Sequence, residues 1–318
     1  MKIIISRKGL DTGTAKNMGI KNRDSFSPGC SPAYKDCMIS LPISDSLEGN
    51  NSYDNLFYKG KRLSDIYKEL HGIDTVENNL GAHADPDLIE NQKKRENGWK
   101  PTFGQASAAQ GQLEKYGISK GDLFLFFGLF SHVNCNHDDE IKSISDLKLL
   151  SKPFHCFFGW LQTEQPLDAK FIRNKPWLND HPHKIHSKYK TMKKNRLYVA
   201  SESLSLDSRL PGGGAFTKYA DELMLSDPQE KNLSSWILPE WFLKQESKFR
   251  PDKLGCWSLK EGRAACSSHF KSPGKAVGRW QETVLDTKYF PEAEEWALNI
   301  IEIGTGNYRK NNNKSHPQ

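Results

Sequence analysis

The sequence lacks the cysteine spacing of a zinc ribbon or of a dithiol redox site. None of its six cysteines lies in a C-x-x-C pair, and scattered cysteines are typical of a reducing compartment. Its apolar runs fall short of the roughly 18 residues that a transmembrane helix needs. The run of Ile3, Ile4 and Ile5 before Arg7 is also too short for the apolar part of a signal peptide. We therefore expect a cytoplasmic protein with no membrane partner.

Other signatures are missing as well. The chain contains no G-x-G-x-x-G, no Walker lysine, no H-E-x-x-H and no kinase motif, which argues against a dinucleotide fold, a zinc metalloprotease and a protein kinase. It shows no internal repeat and no long Pro- or Ser-rich linker. We expect a single domain over residues 1–306, followed by a disordered basic tail over 307–318.

The composition is that of a folded protein with a mild basic excess. Hydrophobic residues make up 36% of the 318 residues and aromatic residues 11%, and aromatic side chains bury the most area each. The charged fraction of 26% is ordinary for a globular chain. A net charge of +6 is compatible with a nucleic-acid partner without identifying one.

Two aromatic runs, 123–130 and 154–161, dominate the apolar pattern. Such short runs predict buried strands, and their internal glycines, Gly128 and Gly159, predict bends like those at the corners of a barrel. We therefore predict an α+β fold with a small mixed β-barrel core, surrounding helices and long loops. Trp160 in the second run is a candidate for stacking on a nucleobase.

The residues after the opening strand form the first candidate binding site. Ser6, Arg7 and Lys8 follow a short β-branched run, and a polar loop at the end of a strand often carries function. Arg7 suits a bidentate contact to phosphate or carboxylate. The alternative is a solvated turn whose charges serve solubility.

A second candidate combines one imidazole with two carboxylates. His83, Asp85 and Asp87 lie within five residues, a set that suits acid–base chemistry or a hard or borderline metal. The alternative is that Asp85 caps a helix beginning at Pro86, an explanation that does not extend to His83.

Two further segments carry candidate contacts to nucleic acid. Gln105, placed at the start of a predicted helix that ends near Tyr116, has an amide that can read a base edge. The stretch from His181 to Arg196 includes six lysines and arginines and no acid, which favours contact with a phosphate backbone. Its histidines can instead join His83 and an aspartate in a metal site, or the stretch can be a flexible basic loop.

Several of these segments together resemble a known family. They are MKIIISRKG at 1–9, HADPDL at 83–88, FGQ at 103–105, GDLFLFFG at 121–128, DHPH at 180–183 and WILPEWF at 236–242. The pattern resembles the nucleotide modification associated domain 3 family over almost the whole chain, which implies one family-length domain associated with base modification and no established reaction. The segment RWQE at 279–282 departs from the family's glycine before Gln-Glu. The segment 121–162 resembles the barrel core of PUA-like base-reading domains.

We therefore expect a protein associated with nucleic-acid base modification that binds a nucleobase or nucleotide, and enzymatic action on that ligand stays open. The alternatives are a non-catalytic PUA-like reader and a partner of modification enzymes that docks through an exposed patch at 236–242. No cofactor and no metal ligand is assigned. The candidate catalytic residues are His83, Asp85, Asp87, His181 and His183. The candidate nucleotide-binding residues are Ser6, Arg7, Lys8, Gln105, Trp160 and Arg196. We expect the polar candidates to converge near one end of the strand at 123–130.

Overall fold

The computed structural model describes most of the chain. The described residues are 1–10, 30–34, 37–45, 51–71, 80–134, 148–231, 233, 235–243, 257–260, 263–266, 270–272, 275–276 and 282–307. Within these ranges, no helix has both the length and the apolar content needed to cross a membrane. Arg279, Trp280 and Gln281 lie outside the described residues, as does most of the tail expected at 307–318.

The secondary structure mixes many short strands with a few helices. The strands are β1 Lys2–Arg7, β2 Ser31–Tyr34, β3 Cys37–Met38, β4 Ile43–Asp45, β5 Phe57–Tyr58, β6 Lys61–Arg62, β7 Gly81–His83, β8 Thr102–Ala106, β9 Leu123–Asn134, β10 Lys148–Leu149, β11 Phe154–Gln162, β12 Leu167–Asp168, β13 Asn195–Val199, β14 Ser203–Leu204, β15 Asp207–Pro211, β16 Gly213–Ala215, β17 Trp257–Lys260, β18 Arg263–Cys266, β19 Phe270–Ser272, β20 Lys275–Ala276 and β21 Glu282–Asp286. The helices are α1 Leu63–His71, α2 Ser107–Lys115, α3 Ala169–Arg173, α4 Pro182–Ile185, α5 Ser187–Lys190, α6 Glu240–Leu243 and α7 Glu292–Thr305. This content confirms the predicted α+β class.

The two aromatic runs form the centre of the main sheet. Its strand order is β16-β11-β9-β1-β21, with β2 and β10 also pairing with β9. Strand β1 runs parallel to β9, whereas β11 and β9 are antiparallel. The side chains of β11 are buried along its whole length, which is why an almost uninterrupted apolar run is needed there.

The main sheet is open. Among the described strands its order ends at β16 on one side and at β21 on the other, and no closed barrel is found, so the PUA-like barrel is not confirmed. Gly128 does not end β9, because the strand continues to Asn134. A Cβ atom there would approach the carbonyl oxygen of Lys8 to 2.8 Å, so this glycine permits close packing of two backbones. Among the described strands of the main sheet, the pairing of β11 with β9 shifts register at a bulge between Phe157 and Gly159.

A smaller sheet of β12, β13 and β8 lies beside the main core. Gly104 pairs with Leu197, and Gln105 pairs with Arg196. Because successive strand residues point to opposite faces, Gly104 and Gln105 face different surroundings. Phe103, on the Gln105 face, contacts Phe124 and Phe126 edge to face at 5.2 Å in the main core. The face of β8 that carries Phe103 and Gln105 therefore lies against the main core, and Gly104 faces the other side.

Several local predictions can be compared with these elements. The helical spacing of Leu63, Ile66, Tyr67 and Leu70 predicts a helix, and the structure confirms it as α1. Gln105, in contrast, lies in β8, and the following helix begins only at Ser107. No helix begins at Pro86, so Asp85 is not a helix cap. The stretch after His181 folds into α4 and α5, which corrects the expectation of a loop.

The aromatic segment at 236–242 is mostly core. Trp236 is 8% exposed and Phe242 is fully buried, and the Trp241 ring packs against Phe242 and Trp296. Ile237 is the exposed apolar side chain of this segment, at 58%. The proposed docking patch therefore loses the aromatic surface on which it depended.

Candidate active site

The carboxylate of Asp85 lies at the centre of a buried cluster of histidines. Its Oδ2 lies 3.7 Å from His83 Nε2 and 3.4 Å from His183 Nε2, and its Oδ1 lies 3.8 Å from His181 Nε2. The backbone N–H of Gly104 donates to Asp85 Oδ1 at 2.7 Å. The Asp85 side chain is 4% exposed. Two segments that are distant in the sequence, 83–85 and 181–183, thus meet at one carboxylate.

Short local structures hold these side chains in place. His83 is the last residue of β7, which pairs with β4 through Ile43. His181 is the N-cap residue of α4, and its Nδ1 accepts from the backbone N–H of His183 at 3.2 Å. Gly104 leaves room for the His183 ring, because a Cβ atom at that position would come within 2.6 Å of His183 Nε2. A short helix and a glycine in β8 together direct the two histidines toward Asp85.

The ring nitrogens that face away from Asp85 are held as well. His83 Nδ1 lies 3.1 Å from Asp45 Oδ2, and His183 Nδ1 lies 2.7 Å from Asn195 Oδ1. The Asn195 amide nitrogen donates to the carbonyl oxygens of His183 and Tyr189, which sets the orientation of that amide. Since the facing oxygens can only accept, both imidazoles carry their proton on Nδ1. Tyr189 stacks on the His183 ring at 4.0 Å.

The charges of the cluster follow from its burial and its contacts. Burial raises the pKa of Asp85, but interactions with His183 and His83 outweigh it and hold that pKa well below its usual range. Burial lowers the pKa of His83, yet Asp45 and Asp85 outweigh it and the net pKa is raised. Burial lowers the pKa of His181 to about 3, so His181 is neutral at pH 7. The site combines an ionised carboxylate, a histidine that favours a proton and a histidine that does not.

A second group of potential metal ligands shares His83. Asp45 Oδ2 lies 3.7 Å from His186 Nε2, and Asp45, His83 and His186 each offer a ligand atom within 4.8 Å of the others. The same is true of His83, Asp85 and His183. Asp45 also forms an ion pair of 2.6 Å with Lys188, so its negative charge is already compensated.

These contacts include residues that the sequence did not single out as site residues. His186 belongs to the same H-x-H-x-x-H run as His181 and His183, and this spacing was a usable signal. Asp45 and Asn195 carry no such signal, because each reaches the histidines only through the tertiary fold.

The model of one protein family matches residues 2–286, and its description is nucleotide modification associated domain 3. The chain belongs to this family. No curated protein and no solved structure matches the chain. The matched range contains Asp45, His83, Asp85, His181 and His183 and ends at the last residue of β21. The whole histidine–aspartate cluster is therefore part of the nucleotide modification associated domain.

Asp87, unlike its neighbour Asp85, forms an ion pair with an arginine, Arg95. Both of its carboxylate oxygens accept from Arg95, at 2.7 and 2.6 Å, and Trp99 Nε1 lies 3.4 Å from Oδ2. Its backbone also pairs with Thr102. This bidentate, buried ion pair ties the segment after Pro86 to the loop before β8.

The candidates from the start of the chain form a separate polar cluster around Glu282. Lys8 Nζ and Gln105 Nε2 lie 3.0 and 2.6 Å from Glu282 Oε1. Ser6 is buried and pairs with Glu282 in the ladder between β1 and β21, and Arg7 is half-buried. Because Gln105 and Gly104 point to opposite faces of β8, the structure divides the predicted polar residues between two clusters instead of one.

Trp160 and Arg196 lie outside the centres of both the Asp85 cluster and the Glu282 cluster. Trp160 is 3% exposed, its ring stacks on Phe216, and its Nε1 donates to the carbonyl oxygen of Pro211. This ring is enclosed in the core of the domain. Arg196 is partly exposed and lies 3.8 Å from Glu114, on the β8 face opposite to the histidines.

One G-x-S-x-G match also occurs, at 117–121. It connects α2 to β9, whereas a nucleophile elbow joins a strand to a helix. Ser119 is exposed, and its backbone N–H donates to Asp122 Oδ2. The match is therefore a turn that begins β9.

Two small clefts each include one residue of the histidine–aspartate cluster in their lining. One includes Gly9, Ser40 and Asp85 in its lining. The other includes His181 together with the basic residue Lys93. Burial lowers the pKa of Lys93, whose ammonium donates to Asn51 and to the carbonyl oxygen of Asp180. The cluster is thus enclosed, with a small cleft beside Asp85 and another beside His181.

Proposed function

We propose that this protein is an enzyme of nucleotide modification and that the cluster of His83, Asp85, His181 and His183 is its active site. The observation that carries the proposal is the convergence of three imidazole Nε2 atoms on one buried carboxylate. Burying ionisable groups is costly, and perturbed pKa values in a cleft are typical of functional sites. The family description, nucleotide modification, supports a nucleobase or nucleotide as the substrate class that we propose.

The cluster suits proton transfer to and from a heterocycle. His181 accepts at Nδ1 from the backbone of His183, so its neutral ring carries the proton on Nε2 and can donate it to a substrate atom. Asp85 stays ionised and orients the imidazoles. General acid–base catalysis of this kind contributes about 10²–10⁴-fold to a rate.

The alternative function, a non-catalytic reader of modified bases, is supported less well. It depended on an aromatic platform at Trp160, and that ring is packed against Phe216 in the core. A reader also has no need for three histidines around a carboxylate. Salt-dependent binding to nucleic acid, unchanged by substitution of Asp85, is the result that favours the reader.

The test of the enzyme proposal is nucleoside mass spectrometry of nucleic acid and free nucleotides from cells with and without the gene. We expect a modified nucleoside with the wild-type chain that disappears with Asp85→Asn and with His183→Gln. Asp168→Asn is the matched control, because Asp168 is an exposed N-cap of α3 and asparagine caps equally well. Identical nucleoside profiles with and without the gene contradict the function. Full modification by Asp85→Asn contradicts the site.

A further inference from the structure

The Nε2 atoms of His83 and His183 both face the negatively charged carboxylate of Asp85. His83 and His183 each direct the Nδ1 side of the ring at an oxygen acceptor, Asp45 and Asn195 respectively. In the neutral imidazole, the Nε2 atom therefore carries a lone pair. Both lone pairs face the Asp85 carboxylate, which is itself an acceptor. Three acceptors that point at one another in a buried space need a cation, either a proton or a metal ion, between them.

We propose that this cation is a divalent transition-metal ion, bound by His83 Nε2, the Asp85 carboxylate and His183 Nε2. This assignment deepens the proposed function of the same cluster and rests on that cluster being the functional site. Two imidazoles and one carboxylate form the ligand set that binds zinc, iron(II) and related ions in proteins. Magnesium and calcium prefer all-oxygen sets, so the class is a borderline transition metal.

The distances separate a shared metal ion from a shared proton. A charge-assisted hydrogen bond between nitrogen and carboxylate spans about 2.7–2.9 Å. Two donors on a tetrahedral ion with bonds of about 2.0–2.1 Å stand about 3.3 Å apart. The Nε2–Oδ2 separations are 3.4 Å for His183 and 3.7 Å for His83, which are closer to the metal geometry than to the hydrogen bond. One ligand atom from each residue lies within 4.8 Å of the other two.

The outer contacts of the two histidines match those of metal ligands. A metal-bound histidine generally donates its other ring N–H to a carboxylate or carbonyl oxygen, which fixes the tautomer and orients the ring. Asp45 serves this purpose for His83, and Asn195 does so for His183. The Gly104 N–H bond to Asp85 Oδ1 orients the third ligand in the same way and leaves Oδ2 directed at both imidazoles.

His181 gives an independent indication of a ligand in this space. Its side chain is 2% exposed, and its Nε2 has no hydrogen-bond partner among the described residues. This N–H faces Asp85 Oδ1 from 3.8 Å, which is too long for a hydrogen bond. Since its Nδ1 already accepts from His183 N–H, neutral His181 is a donor and not a metal ligand. Its N–H is placed to donate to an oxygen of water or substrate beside the ion.

The neighbouring group of Asp45, His83 and His186 is a poorer metal site. Lys188 Nζ lies 2.6 Å from Asp45 Oδ2, and an ammonium at that distance repels a second cation. That group would also need Asp45 as a direct metal ligand, although Asp45 Oδ2 already accepts a hydrogen bond from His83 Nδ1. The two groups make different predictions, because only the Asp85 group requires His183 and only the Asp45 group requires His186.

The test measures metal binding alone, with the full chain stripped by a chelator and titrated with Co²⁺ while its visible absorption is recorded. We expect saturable binding of one ion per chain, displaced by Zn²⁺. Asp85→Asn and His183→Gln should each weaken binding by more than about 100-fold, because the loss of a ligand exceeds the 10–100-fold that an outer partner contributes. His186→Gln and Asp168→Asn are the controls and should retain wild-type affinity, as should His181→Gln within about tenfold.

X-ray absorption of the Zn²⁺-loaded wild-type chain is the second measurement and does not depend on any variant folding. Two imidazole ligands per zinc are expected. An absence of saturable binding, a spectrum without imidazole scattering, or a loss of binding in His186→Gln but not in His183→Gln overturns the assignment. If the ion binds but no modified nucleoside is found, the metal site stands and the proposed function fails. If the modified nucleoside is found but the stripped chain shows no saturable Co²⁺ binding, the proposed function stands and the metal site fails.

Discussion

Substitution of Gly104 by alanine adds one methyl group at the point where β8 meets the His183 ring. The new Cβ atom would lie 2.5 Å from His183 Cγ and 2.6 Å from His183 Nε2, well inside van der Waals contact. The ring cannot turn away freely, because its Nδ1 is bonded to Asn195 at 2.7 Å and its face is stacked on Tyr189. Either β8 or the ring must therefore move.

The expected loss of stability in Gly104→Ala follows from these two alternatives. Overpacking of a well-packed site costs about 1–3 kcal/mol, and breaking the bond between His183 and Asn195 costs about 0.5–1.5 kcal/mol net. Alanine recovers about 0.4–1 kcal/mol by restricting the unfolded chain. We expect the free energy of unfolding to fall by about 1–3 kcal/mol, measured by urea denaturation with an unchanged m-value. Co²⁺ affinity should fall together with stability.

Gly111→Ala is the matched control for this substitution. Gly111 lies inside α2, and the nearest atom to its added Cβ is the mobile Lys194 Nζ at 3.1 Å. Alanine in a helix interior is favoured over glycine by about 1 kcal/mol, so this variant should be as stable as wild type or more so. If Gly104→Ala is equally stable and binds Co²⁺ normally, the His183 ring does not lie against Gly104 and the geometry of the cluster is wrong.

Three further substitutions test the other assignments. Arg95→Ala should lower the free energy of unfolding in urea by about 3–5 kcal/mol, because it leaves the buried Asp87 carboxylate without its ion-pair partner. Adding Asp87→Asn should recover much of that loss. A double variant that recovers no stability contradicts the ion-pair role. Burial, with a smaller contribution from Arg7, lowers the pKa of His155 to about 3, so the unfolded chain takes up a proton below about pH 6.5 that the folded chain does not. The free energy of unfolding should therefore decrease as the pH is lowered from about 6.5 to about 3. His155→Gln should remove about 1.4 kcal/mol per pH unit from that slope. An unchanged slope contradicts the burial of a neutral His155. Trp160→Ala should cost about 3–5 kcal/mol by thermal or urea unfolding, as for a large core side chain, whereas a loss below about 1 kcal/mol would indicate a surface ring available for stacking on a base.

The local elements of this protein could be predicted from the sequence because their signals are local. The aromatic runs that became β9 and β11 are too short and too apolar for surface helices, and the spacing of Leu63, Ile66, Tyr67 and Leu70 places one apolar face on α1. The residue types that suit acid–base or metal chemistry, His83, Asp85, His181 and His183, were also visible as motifs, and their order along the chain matched the family.

Periodicity and motifs could not show which of these side chains share a space. Asp85 and Asp87 look alike in the sequence, yet Gly104 and the histidines surround one, whereas Arg95 takes both oxygens of the other. Gln105 and Gly104 are adjacent, yet they face different clusters because a strand alternates its side chains between two faces.

The sequence by itself thus determined the central strands β9 and β11, helix α1 and the chemical groups available to this protein. The tertiary structure alone decided the shape of the sheet, the enclosure of Trp160, and the assembly of Asp45, His83, Asp85, His183 and Asn195 into one network. The physical reason is that charge state, tautomer and ligand geometry depend on the partner across a few ångströms. Only the folded chain brings those partners from distant segments into contact.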